Sequence, residues 1–245
     1  MSGVVTLSLG VLGLFVGSAI WTIARNQARR KPLAPVAYCD AGDGAMPGLA
    51  WLPFLGFGSA RVCPTGRAPQ SRWRIPFELA TAAYFMIAAG RIDDRLALAA
   101  LLVFSIPLSI IFLVDSWTRL IHTNVIGLGI VAGLAFAVAS GTGQIMRSVL
   151  GMAAAAAAFG GLFLLAAVVY RNVKIVPFGL GDVYLAAMIG SMVRVGAVAQ
   201  ALLYGIMLSG VCIVVLLLLK RVNRRQAVAY GPYLCLGALL SLVLA

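Results

Sequence analysis

Three carboxylates concentrate the chemical interest of this chain. Glu78, Asp115 and Asp182 each sit against a long apolar run, in a sequence of 245 residues with only seven Asp and Glu. An ionised carboxylate inside hydrocarbon is costly, so an acid held at a membrane-helix end is a candidate for function. Asp182 closes the run Phe178-Gly179-Leu180-Gly181-Asp182, and Asp115 ends an apolar stretch in Phe112-Leu113-Val114-Asp115-Ser116-Trp117-Thr118-Arg119. Taken singly, Asp182 reads as a helix-capping acid and Asp115 as a solvated acid beside Arg119. Taken together they can hydrolyse a peptide bond. One ionised carboxylate takes a proton from water while a protonated one polarises the carbonyl, and two close carboxylates share a proton so that both forms coexist. Gly179 and Gly181 let the backbone turn sharply and approach a substrate chain. A carboxylate in a first helical turn also gains from the helix dipole.

Membrane helices must position these acids. The chain is 62% hydrophobic and 11% charged, with a mean hydropathy of +1.02, which excludes an ordinary soluble domain. Crossing roughly 30 Å of hydrocarbon takes about 20 apolar residues in a helix. The expected fold is all-α, a polytopic membrane protein with about eight transmembrane helices. Apolar runs and charged breaks place the spans at about 4–24, 75–90, 96–114, 124–140, 147–170, 182–193, 197–219 and from there to the C-terminus. The Ala-rich stretch Ala153 to Ala158 suits close helix packing in lipid. Residues 115–123 are expected as a short polar loop, and about 32–75 as a long one rich in Gly and Pro.

The net charge of +12 does not point to nucleic acid, because the basic residues cluster in short loops between apolar segments. That is the pattern of loops facing anionic lipid. If the cluster Arg25 to Lys31 is inside, all but four of the 19 Lys and Arg lie on that side, the exceptions being Arg91, Arg95, Arg147 and Arg194. Both termini are then expected outside, and the three acids fall at the cytoplasmic ends of their helices. The first span has no basic residues before it and no small-residue cleavage site after it, and is expected to be a retained anchor. Cys212 and Cys235 lie in apolar runs and read as packing residues. Cys39 and Cys63 share the long loop, where no disulfide is expected in the cytoplasm.

The sequence resembles the type IV prepilin peptidases, bacterial polytopic aspartyl proteases. The resemblance rests on Val176-Pro177-Phe178-Gly179-Leu180-Gly181-Asp182, which looks like their G-x-G-D signature, with Gly190 beyond it. Asp115 with Thr118 and Ile121 resembles their first aspartate motif, and Tyr230-Gly231-Pro232-Tyr233-Leu234 resembles the element opening their last helix. Pro76-Phe77-Glu78-Leu79 and the small pair Gly17-Ser18 also have counterparts. The match covers nearly the whole chain in order; the two aspartate motifs and the Gly-Pro element are specific together and weak apart. It implies that Asp115 and Asp182 are the catalytic pair and that Gly179 and Gly181 shape the loop bringing Asp182 to Asp115. The implied substrate is a prepilin or pseudopilin precursor, cut at the cytoplasmic face of the inner membrane after the glycine preceding its hydrophobic helix. No cofactor is needed for that hydrolysis.

The long loop departs from the family pattern. There the resemblance would supply two C-x-x-C pairs and N-methylation of the new N-terminus by S-adenosylmethionine. Here Cys39-Asp40-Ala41-Gly42 and Cys63-Pro64-Thr65-Gly66 each lack the second cysteine. Tetrahedral zinc asks for four Cys or His ligands, and the single histidine, His122, lies in another loop, so zinc and any other metal are not expected. Loop length and the Pro76-Phe77-Glu78 run survive, leaving Glu78 a candidate for methyl transfer or for supporting the loop. The expected organisation is an N-terminal membrane region, 1–95, with the methyltransferase-like loop, and a peptidase core, 96–245. His122 stands where the family prefers Pro and Tyr184 where it prefers Lys; His122 reads first as a loop residue. The alternatives are a related G-x-G-D protease with another membrane substrate, and a proton- or cation-coupled transporter. Transporters tend to carry ionisable sites near mid-membrane and to show inverted repeats; here the acids share one face and no internal duplication is visible.

Overall fold

The computed structural model describes residues 3–29, 31, 33, 52–53, 73–169, 179–219 and 230–244. Expectations for Cys39, Cys63 and Phe178, and for most of the long loop, lie outside these residues. Among the described residues there are seven helices and no strand: α1 (Gly3–Ala28), α2 (Arg74–Arg91), α3 (Arg95–Thr118), α4 (Thr123–Ala139), α5 (Thr142–Val169), α6 (Leu180–Leu218) and α7 (Gly231–Leu244). Four of them, α1, α3, α5 and α6, are long and apolar enough to cross a membrane. In its described residues the chain is an all-helical, membrane-embedded protein.

The expected spans at 182–193 and 197–219 are the two helical arms of α6, which meet at a kink with no loop between them. The break survives as a single residue: Arg194 takes φ 63 and ψ 169 inside the helix. That region of the backbone map is almost confined to glycine and costs a residue with a side chain about 1–3 kcal/mol. The short polar loop expected at 115–123 is shorter still than its sequence suggests. Ser116 and Thr118 donate their hydroxyls to the carbonyls of Phe112 and Val114, at 2.6 and 2.9 Å, so α3 runs on to Thr118. Such back-bonding lets a hydroxyl residue sit inside a helix. The helix stops at Arg119, left-handed at φ 55, whose N–H donates to the Asp115 carbonyl.

The chain divides into two compact units, Met1–Leu102 and Val103–Ala245. The division falls inside α3, slightly beyond the 95/96 boundary expected from the sequence. In the first unit α1 and α2 pack through a glycine stripe. Gly10, Gly13 and Gly17 lie at i, i+3 and i+7, on one helix face. A Cβ at Gly13 would fall 2.7 Å from the Ala82 Cα, and one at Gly17 3.0 Å from the Thr81 hydroxyl, so the backbones touch across the stripe. Without a hydrophobic drive between helices in lipid, such small-residue contact is a main source of association.

In the second unit α6 is the hub, packing on α4, α5 and α7. The same device recurs on each side. Gly190 meets Gly151 of α5 backbone to backbone, Gly133 of α4 lies against Ser191, and Gly205 nests against Leu234 and Gly237 of α7. Ser148 donates its hydroxyl to the Ser191 carbonyl at 2.5 Å, fastening α5 to α6. Phe104 of α3 meets Phe136 of α4 edge to face, with ring centres 5.5 Å apart. This locked hub carries the amino end of α6, and hence Asp182.

Candidate active site

Asp115 lies in the last turn of α3, where the helical extension through Thr118 turns it inward. It is only 4% exposed. Its carboxylate closes no ion pair and accepts no hydrogen bond from a described residue. Arg119 lies within electrostatic reach of it without contact. A buried acid without partners is expensive to keep, so a structural role alone accounts poorly for it.

Asp182 occupies the third position of α6. The amino-terminal residue, Gly179, is extended at φ −97 and ψ 152. Its N–H donates to the Asp182 carboxylate at 3.2 Å, while the Asp182 N–H donates to the Gly179 carbonyl at 3.1 Å. This reciprocal closure is the carboxylate half of a capping box, and it sets the acid at the positive end of the helix dipole. Asp182 therefore caps its helix, and it lies within electrostatic range of Asp115. Both acids named from sequence lie in the second unit, at the carboxyl end of α3 and the amino end of α6.

The contact that arranges them involves residues whose part was not legible. Gly231, first in α7, lies so close to Asp115 that a Cβ there would collide with the carboxylate oxygen and stand 3.1 Å from its Cγ. The amino end of α7, the positive end of its helix dipole, thus lies beside the acid. Ile121, in the loop after α3, touches both sides: its Cβ lies 3.3 Å from where a Gly181 Cβ would be, and its Cδ1 3.5 Å from that of Gly231. One side chain spaces the amino ends of α6 and α7. Cys235, one turn into α7, is fully buried, as a packing residue would be, and also feels both carboxylates. The run Tyr230 to Leu234 was visible as a motif, but no spacing in it pointed to Asp115.

The two glycines divide their work. Gly181 makes the close approach to Ile121, whereas Gly179 meets nothing beyond its own turn and acts through its N–H. His122 precedes α4 with a buried ring nitrogen, Nδ1, that finds no hydrogen-bond partner among the described residues. Tyr184 is half exposed.

Glu78 belongs to the first unit and is completely buried. It accepts from the Arg74 Nε at 2.8 Å, one helical turn away. The same guanidinium donates to the Ser18 hydroxyl at 2.7 Å and to the Leu52 carbonyl at 3.2 Å. Glu78 thus orients an arginine that ties α2 to α1 and to the segment between them, and Ser18 of the small pair is one of the tied groups. Comparison with protein families, curated proteins and solved structures finds no match to this chain.

Proposed function

We propose that this protein is a membrane aspartyl endopeptidase that removes the leader of type IV prepilin or pseudopilin precursors. The observation that carries this reading is the burial of Asp115, at 4% exposure and without a bonding partner among the described residues, within electrostatic reach of Asp182. Two acids so arranged share a proton. The ionised member draws a proton from a water molecule, and the water oxygen attacks the scissile carbonyl carbon. The protonated member donates to the carbonyl oxygen, giving a tetrahedral intermediate. Collapse returns a proton to the leaving nitrogen and restores the pair. Helix amino termini beside both acids favour keeping one negative charge there.

In the proposed topology the pair faces the cytoplasm at the inner membrane, both termini lie outside, and α6 counts as two spans divided at Arg194, making eight. The precursor then presents its cleavage point at the membrane edge. Methyl transfer from S-adenosylmethionine receives no comparable support. Glu78 is engaged by Arg74 in a buried ion pair.

The test is leader removal from a co-expressed precursor by the Asp115→Asn and Asp182→Asn chains. Loss in both, with normal membrane insertion, is expected. Normal processing by either one rejects the pair, and a parent chain that cuts no precursor leaves a different membrane substrate, or ion transport, to be tried. Mass spectrometry of the mature N-terminus reports separately on methylation.

A further inference from the structure

The strained residue at the break in α6 has work to do at a distance. Arg194 donates from Nη1 to the Gln144 Oε1 and from Nη2 to the Ser140 hydroxyl, each at 3.0 Å. Both acceptors belong to the α4–α5 turn, Ser140 following α4 and Gln144 in the first turn of α5. A planar guanidinium with two bonds to neighbouring helix ends fixes direction as well as distance. Next to it Gly151 packs against the Gly190 carbonyl and the Arg194 backbone, and Ser148 holds the Ser191 carbonyl. The helix between this anchor and Asp182 is uninterrupted.

We propose that Arg194 is a positioning residue for the acid pair, a reading that rests on the hydrolytic role of Asp115 and Asp182. The segment from Arg194 to Asp182 is a rod about 18 Å long at about 1.5 Å per residue. Its far end is seated by the guanidinium, and its near end holds Asp182 against the Ile121 spacer. A tilt of about 3° about the break carries Asp182 by about 1 Å, and a displacement of that size costs about a hundred-fold in rate. The unfavourable backbone of Arg194 lets the guanidinium meet Ser140 and Gln144 while α6 continues beyond it. Arg194 touches neither substrate nor acid and acts only through the rod.

The test reads geometry and turnover separately. Ile121→Cys and Gly181→Cys are introduced together, because their Cβ positions lie 3.3 Å apart, close to the separation of a disulfide. Under mild oxidation, the 121–181 link, identified by peptide mass spectrometry, forms readily while Arg194 is present. It forms at least about five-fold more slowly with Arg194→Ala, and Arg194→Lys, which keeps a donor, recovers part of the rate. In the chain with native residues at 121 and 181, Arg194→Ala lowers kcat for leader removal about a hundred-fold with KM unchanged, the signature of a misplaced reacting group. An unchanged crosslinking rate in Arg194→Ala overturns the proposal. So does a loss of turnover that appears entirely in KM. If Arg194→Ala fails to insert, Gln144→Ala removes one acceptor only, and an unchanged crosslinking rate there overturns the proposal equally. A crosslinking defect in a chain that cuts no precursor would sustain the positioning and refute the peptidase.

Discussion

Gly231→Ala is the sharpest probe of how Asp115 is held. The substitution adds one methyl group to the first residue of α7, whose backbone is not left-handed and accepts alanine without conformational strain. Its effect is therefore steric. The new Cβ would overlap the Asp115 carboxylate oxygen and stand 3.1 Å from its Cγ and 3.5 Å from the Ile121 Cδ1. To regain ordinary contact the carboxylate must retreat by on the order of 1 Å. Overpacking of this kind costs about 1–3 kcal/mol, and alanine returns up to about 1 kcal/mol through helix propensity. The net loss of about 0–3 kcal/mol lowers the unfolding midpoint by at most about 12 °C, so the chain stays folded. Catalysis suffers far more, because a reacting group displaced by about 1 Å loses on the order of a hundred-fold. The assay is kcat for leader removal by detergent-solubilised enzyme, alongside the thermal midpoint. Gly127→Ala is the control, since nothing lies within 4 Å of a Cβ there, and it should process normally. A folded Gly231→Ala chain that cuts at the parent rate would refute the claim that α7 sets the place of Asp115.

Two further outcomes test the packing. The Arg74–Glu78 pair is 6% and 0% exposed, so Arg74→Ala or Glu78→Gln should cost about 3–5 kcal/mol by leaving a buried polar partner unmatched. Arg74→Met with Glu78→Met should cost less than either, as measured by denaturant unfolding in mixed micelles; a double variant no better than the singles would deny that the pair is a buried charge problem. Gly190→Ala drives a Cβ into the Gly151 carbonyl and should destabilise by about 3 kcal/mol, whereas Gly196→Ala, with open space around it, should be neutral in the same measurement.

Composition and local spacing reached a good part of this protein. Long apolar runs interrupted by charge must become helices in lipid, because a bare backbone amide there has no other partner; so α1, α3, α5 and α6 were readable, and with them the acids at their ends. Asp182 was also readable as an early-helix acid, since capping depends on neighbours a few residues away. Local chemistry misled where hydroxyls could choose. Ser116 and Thr118 read as loop residues, yet their side chains bond back to α3 and carry Asp115 into burial. The break at Arg194 read as a boundary between spans, and the backbone does leave the helix there, but at one residue rather than over a loop.

What no stretch of residues could announce is who meets whom. Ile121 touching Gly181 and Gly231, the α7 amino end facing Asp115, and Arg194 reaching Ser140 and Gln144 are contacts between segments dozens of positions apart. They arise because α6 packs backbone to backbone on its neighbours through Gly190, Gly133 and Gly205. Periodicity reports which face of a helix is apolar, and in a chain apolar on nearly every face it cannot single out a partner. Close packing supplies that choice, and with it the place of Ile121 between the amino ends of α6 and α7.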